Sequence, residues 1–285
     1  SKNLRHPKLQ LNIGVCVLVF VAIAFGVELN KLEMASGVFR TGKILDPNKT
    51  KMLASVDGKT ASIAMYELEN EVYVLSTNGK PDAGLSMNSE NRYKNPDEST
   101  MILMAAIAML LKPDVKTVAN IGMGSGLTTQ ILLSTDQIER VDTIEIEQAV
   151  IEVSKGFYPR NRYVYEDPRS VIHIEDAKTF FSSHNSSYDI IMSEPSNPWV
   201  SGVSGLFSRE FYQHIKRYLK NDGLLVQWIQ LYEIDHDVVA SVFKAVAAEF
   251  KDFVVYAPTF GDIFIIANNN GEKLVLPKQL HSDPR

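Results

Sequence analysis

Three glycines at alternate positions, Gly122-Met123-Gly124-Ser125-Gly126, lie between an apolar run at 116–121 and a helical run at 127–134. No other stretch limits the fold so strongly. The order reads as strand, glycine loop, helix. A second apolar run, Arg140-Val141-Asp142-Thr143-Ile144-Glu145-Ile146-Glu147, follows and ends in acid. Glycines let the backbone turn sharply and approach a ligand with no side chain between them. The next helix then aims its first N–H groups at that ligand. An acid about twenty positions on, at the tip of the neighbouring strand, suits a ribose diol. The unit reads as one half of a nucleoside-binding parallel sheet.

The spacing narrows the ligand. The pattern is Gly-x-Gly-x-Gly, not the Gly-x-Gly-x-x-Gly of dinucleotide sites, and no Gly-Lys-Ser/Thr follows to hold a phosphate chain. The compact form is typical of S-adenosylmethionine-type sites, where no pyrophosphate has to fit. Composition removes other classes. The net charge is −5, so no basic face for nucleic acid is indicated. One cysteine, Cys16, excludes an internal disulfide framework and a cysteine zinc cluster. The six histidines form no His-x-x-x-His pair, and no metal site is expected.

Taken in order, residues 1–32 form an apolar, membrane-linked or signal-like segment. Lys2, Arg5 and Lys8 precede the unbroken run 13–27, which is shorter than the ~20 residues a spanning helix needs. It reads as a signal sequence with Ala22-Ile23-Ala24 as cleavage site, as the last span of a longer protein, or as a buried element; a membrane-linked origin is preferred. Residues 33–99 read as a small antiparallel β domain. Within it 62–68 and 71–76 make a hairpin, a turn falls at 78–81 and a loop covers 88–99. From 100 to 276 a strongly apolar helix, stopped by Lys112-Pro113, leads into strand–helix alternation, the mark of a mostly parallel sheet covered on both faces. Strands are expected at 116–121, 140–146, 171–174, 188–193 and 223–230, with 253–256 and 262–268 as an antiparallel edge. Helices are expected at 127–135, 148–156, 177–183, 208–219 and 236–249. Residues 277–285 read as a polar tail. The fold class is α/β: a Rossmann-like, methyltransferase-type sheet with a small N-terminal antiparallel β domain.

Ligands of such sheets sit outside the carboxyl ends of the strands. The first end supplies Gly122, Gly124, Ser125 and Gly126, and the second Glu145. The third supplies Asp176 and Ala177, where Asp176 is placed to accept a hydrogen bond from an adenine amino group or to cap the next helix. The fourth supplies Glu194, a carboxylate between prolines that stiffen its loop, and a candidate base or cation anchor. Trp199, with Gly202 and Gly205 beyond it, suits a closing lid. The fifth supplies Gln227.

Here the residues resemble a family. Tyr188-Asp189-Ile190-Ile191 through Leu206-Phe207-Ser208-Arg209-Glu210-Phe211-Tyr212, with Gly122–Gly126, Thr143–Glu147 and Asp167-Pro168-Arg169 ahead of Glu175-Asp176-Ala177, resembles the polyamine aminopropyltransferases, spermidine synthase and its relatives. Ser193–Trp199 and Asn78–Asp82 are similar to a bacterial branch whose catalytic domain is fused to membrane spans. The resemblance implies transfer of an aminopropyl group from decarboxylated S-adenosylmethionine to an amine, with release of methylthioadenosine. It places Glu145 on the ribose, Asp176 and Ala177 on the adenine, and Glu194 as the acid that anchors and deprotonates the acceptor. Asn197 falls at a further aspartate of the family; Asp82, Trp199 and Gln227 fall to the acceptor. The family's glycine-loop aspartate, which grips the donor's amino end, is Ser125 here, and a Tyr-His-Glu stretch reads Met101-Ile102-Leu103. These changes relax discrimination against S-adenosylmethionine itself. A small amine substrate, no nucleic acid, no metal and a homodimer are expected. So is a catalytic domain in the bacterial cytoplasm, free or held at the inner membrane through 13–27. Two other readings stay open: an S-adenosylmethionine-dependent methyltransferase, and a non-catalytic nucleoside-binding domain of a membrane protein.

Overall fold

The computed structural model describes residues 7–26, 30–88, 95–196 and 202–275. Asn197, Trp199 and the 277–285 tail lie outside them. Helix α1 (Pro7–Gly26) spans most of the expected apolar segment, and Leu11, Leu18 and Phe20 on it are exposed. No helix among the described residues is long and apolar enough to cross a membrane. Two short helices follow, α2 (Lys31–Ala35) and α3 (Val38–Thr41).

A four-stranded antiparallel sheet comes next: β1 (Lys51–Asp57), β2 (Ser62–Leu68), β3 (Val72–Thr77) and β4 (Lys80–Ser86), in that order. β2 and β3 are the expected hairpin. β4 begins inside the expected turn, at Lys80-Pro81, and runs on through residues that carry no strand signal, because Pro81 and Gly84 disguise it. The turn itself is Asn78-Gly79, both at positive φ (50° and 77°), the geometry a two-residue hairpin loop requires. Thr77 then pairs with Lys80.

Helix α4 (Pro96–Leu111) starts earlier than its apolar pattern, since Asn95 caps it and Pro96 sits in its first turn. After it the chain alternates. β5 (Thr117–Ile121), α5 (Leu127–Leu132), β6 (Arg140–Glu145), α6 (Gln148–Ser154), α7 (Arg162–Glu166), β7 (Ser170–Ile174), α8 (Ala177–Ser183) and β8 (Tyr188–Ser193) lead to α9 (Arg209–Ile215), β9 (Leu219–Gln230), α10 (His236–Glu249), β10 (Phe253–Tyr256) and β11 (Asp262–Asn268). The seven strands stand in the order β10-β11-β9-β8-β5-β6-β7. β11 runs antiparallel to both of its neighbours and lies inside the sheet, so β10 alone forms that edge.

Alternation along the strands explains the layers. Ala119, Ile191, Leu225 and Ile265 face α8, α9 and α10; Val118, Ile190, Leu224 and Phe264 face α4 and α5. The small sheet covers a third cluster, with Ile63, Met65, Leu75 and Leu85 against Leu127, Val150, Val153 and Phe157. Two buried carboxylates stitch the sheets together. Glu147 accepts from the Thr60 N–H (2.6 Å) and hydroxyl (2.7 Å) while capping α6 through Ala149. Burial works against this carboxyl, yet the hydrogen bonds from Thr60 and Ala149 bring it down to about 2. Glu98, fully buried, accepts from the Ser86 N–H and pairs with Arg160 at 2.9 Å.

Candidate active site

The glycine loop leaves β5 with Gly122 at φ 89°, Gly124 at 50° and Gly126 at 79°, a backbone path that L side chains rarely take. Space is also short: a Cβ on Gly126 would lie 2.9 Å from Val164. Glu145, at the tip of β6, grips the loop from below. One carboxylate oxygen accepts the Met123 N–H (3.0 Å) and the other the Glu147 N–H (2.9 Å). Burial raises its carboxyl above the usual range, against the pull of these N–H groups. The Ile146 N–H pulls on the carboxylate as well, and the lone pairs these three N–H groups leave open can take a hydroxyl.

Ser125 is fully buried; its hydroxyl donates to the Met101 Sδ (3.3 Å) and accepts the Leu127 N–H (3.3 Å). Asp176 is exposed and caps α8 through the Thr179 N–H (3.0 Å), with Ala177 buried behind it. Glu194 follows β8 and lies across the loop from Gly122, where a Cβ would be 3.5 Å from its carbonyl. Its Oε2 accepts from the Thr128 hydroxyl (2.9 Å). Burial pushes this carboxyl up to about 8, although hydrogen bonds from Thr128 and Asn120 oppose the rise.

One cleft between the two sheets brings together Gly122–Gly124, Glu194 and Asp82 with Asp97, which the sequence offers beside Asp82 as the next base should Glu194 not serve, with Trp228 from the end of the fifth strand, and with two residues the sequence does not point to, Asp262 and Tyr232. Asp82 accepts from the Ser196 hydroxyl (3.0 Å) and stands 3.4 Å from the buried Lys80 ammonium. Burial and the nearby Asp262 and Asp82 charges lift Asp97 to about 6. Asp262 is buried among neutral donors: Thr100 (3.0 Å), Thr259 (2.8 Å) and the Trp228 indole (3.1 Å). Gln227 points to the other face of β9, is fully buried, and bonds to Tyr212 and to the Ser193 carbonyl; it does not line the cleft. A strand alternates its side chains, so Trp228 takes the place in the cleft that the sequence reading gave to Gln227. Asp262 and Tyr232 carry no local signal; only the pairing of β11 with β9 brings Asp262 opposite Gln230 and beside Trp228.

A glycine loop, an acid at the next strand tip and this strand order define an α/β domain with a methyltransferase-type sheet. The model of the spermine/spermidine synthase domain matches residues 99–275, and the chain belongs to that family. It is 32% identical over 161 residues to a polyamine aminopropyltransferase of Caldicellulosiruptor saccharolyticus, covering 55% of this chain and 58% of that protein. It is 36% identical over 124 residues to the one of Alkaliphilus oremlandii, covering 44% and 43%. The chain spans about half the length of the curated relatives it matches. The fold is shared with the crystal structure of spermidine synthase from Thermotoga maritima (TM-score 0.67, 20% identity, 82% of this chain and 79% of that one). It is shared more loosely with human methyltransferase-like protein 13 in complex with SAH (TM-score 0.50, 18% identity, 65% and 84%).

Proposed function

We propose that the chain transfers an aminopropyl group from decarboxylated S-adenosylmethionine to a small amine, releasing methylthioadenosine. The observation that carries this reading is the placing of Glu194 beside the glycine loop, in a cleft lined by four carboxylates, Asp82, Asp97, Glu194 and Asp262. Membership of the family and the relatives' names support it. Such a cleft draws in a cationic amine and repels anionic acceptors. Glu145 and Gly122–Gly126 take the nucleoside, with Asp176 and Ala177 at the adenine. Glu194, in its carboxylate form, takes a proton from the bound ammonium, and the neutral amine so formed attacks the methylene next to the sulfonium. The new C–N bond forms as the C–S bond breaks, and sulfur leaves with the electron pair as a neutral thioether. The product nitrogen stays as a secondary ammonium, and Glu194 returns its proton to solvent. A desolvated carboxylate accepts a proton more readily than a solvated one, and a positioned base contributes about 10²–10⁴-fold.

In the same reading no metal takes part and the chain works as a homodimer in the cytoplasm. The test is binding of decarboxylated S-adenosylmethionine, S-adenosylmethionine and methylthioadenosine to the purified chain. Tight binding of the first and third supports the proposal. Preference for S-adenosylmethionine points to methyl transfer, and nucleoside binding without turnover points to a sensor.

A further inference from the structure

The core of the parallel sheet holds a chain of polar side chains where apolar ones are the norm. Asn120 sits inside β5 at 1% exposure, with Thr128, Thr129 and Thr143 equally buried around it. Its Nδ2 donates to the Thr129 hydroxyl (3.3 Å), which bonds to the Thr143 hydroxyl (3.0 Å). At the other end Thr128 donates to Glu194 Oε2 (2.9 Å). Two atoms are left over. Asn120 Oδ1 and Glu194 Oε1 are sealed from solvent and have no hydrogen-bond partner among the described residues. The Glu194 N–H donates to the carbonyl of Ile121, the residue after Asn120 (2.9 Å), which sets the two side chains at neighbouring points of the sheet, and the Asn120 side chain favours the ionised Glu194 carboxyl. Buried polar atoms are rarely left unpaired, so Asn120 Oδ1 and Glu194 Oε1 each call for a partner.

We propose that Asn120 is the positioning residue for Glu194, its amide following the proton: Oδ1 accepts from Glu194 in the acid form, and Nδ2 donates once Glu194 is ionised. The change needs only a half-turn of the amide, a torsion with two broad minima. Thr129 can serve either orientation, because its hydroxyl donates to Oδ1 or accepts from Nδ2. Glu194 is thereby held in one place in both protonation states, with Thr128 fixing its other oxygen. The remaining titratable groups around the cleft are Asp82 on β4, Asp97 on α4, Tyr232 after β9 and Asp262 on β11; the Glu194 carboxyl accepts from the Thr128 hydroxyl, and Asn120 is the other side chain that favours its ionised form. This inference rests on Glu194 being the base of the proposed transfer.

The hydrogen bond to the ionised form is the stronger of the two. Losing Asn120 therefore makes Glu194 harder to ionise. The experiment is a titration of the full chain carrying glutamate labelled with ¹³C at the side-chain carboxyl, with the Glu194 signal assigned by its loss in Glu194→Gln. It is run on wild type, on Asn120→Leu, which keeps the shape, and on Asn120→Ser, which keeps a hydroxyl able to donate and accept. Asn120→Leu should raise the titration midpoint by about one pH unit or more. The acid limb of kcat/KM for aminopropyl transfer should move by the same amount. Asn120→Ser should fall between the two, and carries the test alone if Asn120→Leu does not fold. An unmoved midpoint in a folded variant overturns the proposal, whatever the activity. A moved midpoint in a chain that transfers nothing to any amine leaves Asn120 as the partner of Glu194 and removes the transfer reading instead.

Discussion

Glu145 is asked to do two things at once, and Glu145→Gln separates them. In the wild type each carboxylate oxygen accepts one backbone N–H, from Met123 in the glycine loop and from Glu147 at the start of α6. Glutamine offers one oxygen and one NH₂, so one of these buried N–H groups loses its acceptor and meets a donor. A hydrogen bond to a charged group contributes about 1.5–3 kcal/mol, and a stranded buried donor costs about 1–3 kcal/mol. Part of this is offset because the buried charge is gone, which burial already disfavours. The net expectation is a loss of about 2–4 kcal/mol in stability, read as a lower urea midpoint. If the remaining lone pairs hold a ribose diol, methylthioadenosine affinity falls as well. One charge-assisted hydrogen bond is worth about ten- to a hundredfold. Calorimetric titration measures that fall directly. A less stable variant with unchanged affinity would show that Glu145 braces the loop and does not touch the nucleoside. Unchanged stability would refute the clamp itself.

Ser125→Asp places an anion where the family has one; the ratio of affinities should move toward decarboxylated S-adenosylmethionine, and a fixed ratio would mean that position 125 does not face the donor's tail. Arg160→Ala leaves the fully buried Glu98 without its 2.9 Å partner and should cost about 3–5 kcal/mol in chemical denaturation, far more than an exposed pair; a cost under about 1 kcal/mol would contradict the assigned pairing. Glu194→Gln should lower turnover about a hundredfold or more with little change in nucleoside binding. The same variant carries a stability signature. The folded carboxyl sits at about 8 against 4.5 when free, so its contribution is full below about pH 4.5 and is lost as pH rises through 8. The variant should match wild type at about pH 4 and exceed it by about 5 kcal/mol at pH 9; identical pH dependence of the two melting curves would show an ordinary carboxyl.

The large sheet was legible because its strands are apolar runs closed by glycine or acid, and a strand buried on both faces leaves that pattern without help from its neighbours. β5, β8, β10 and β11 lie within a residue of their expected positions. What escaped was local sequence that looks like turn. β4 contains Pro81 and Gly84, and β9 begins at Leu219, with Lys220-Asn221-Asp222-Gly223 bulging out between the Tyr188–Leu219 and Ile190–Leu224 pairs, so a turn-like stretch lies inside the strand. The glycine loop and its acids were equally readable, since motif spacing encodes them. The far wall of the cleft was legible only in part: Asp97 and Trp228 stand out in sequence, but Tyr232 and Asp262 do not, and they join the other two only through packing. Asn120 was passed over for the same reason: in sequence it is one polar residue in an apolar strand, and only Thr128, Thr129 and Glu194 around it give it a role.

Aminopropyl transfer at an acid-lined cleft is decided by a mass-spectrometric experiment on the purified chain. It is incubated in parallel with decarboxylated S-adenosylmethionine and with S-adenosylmethionine, each with a set of mono-, di- and triamines. The account predicts methylthioadenosine and an acceptor heavier by one aminopropyl group, formed from the decarboxylated donor and lost in Glu194→Gln. An acceptor heavier by a methyl group, or S-adenosylhomocysteine in place of methylthioadenosine, would contradict it.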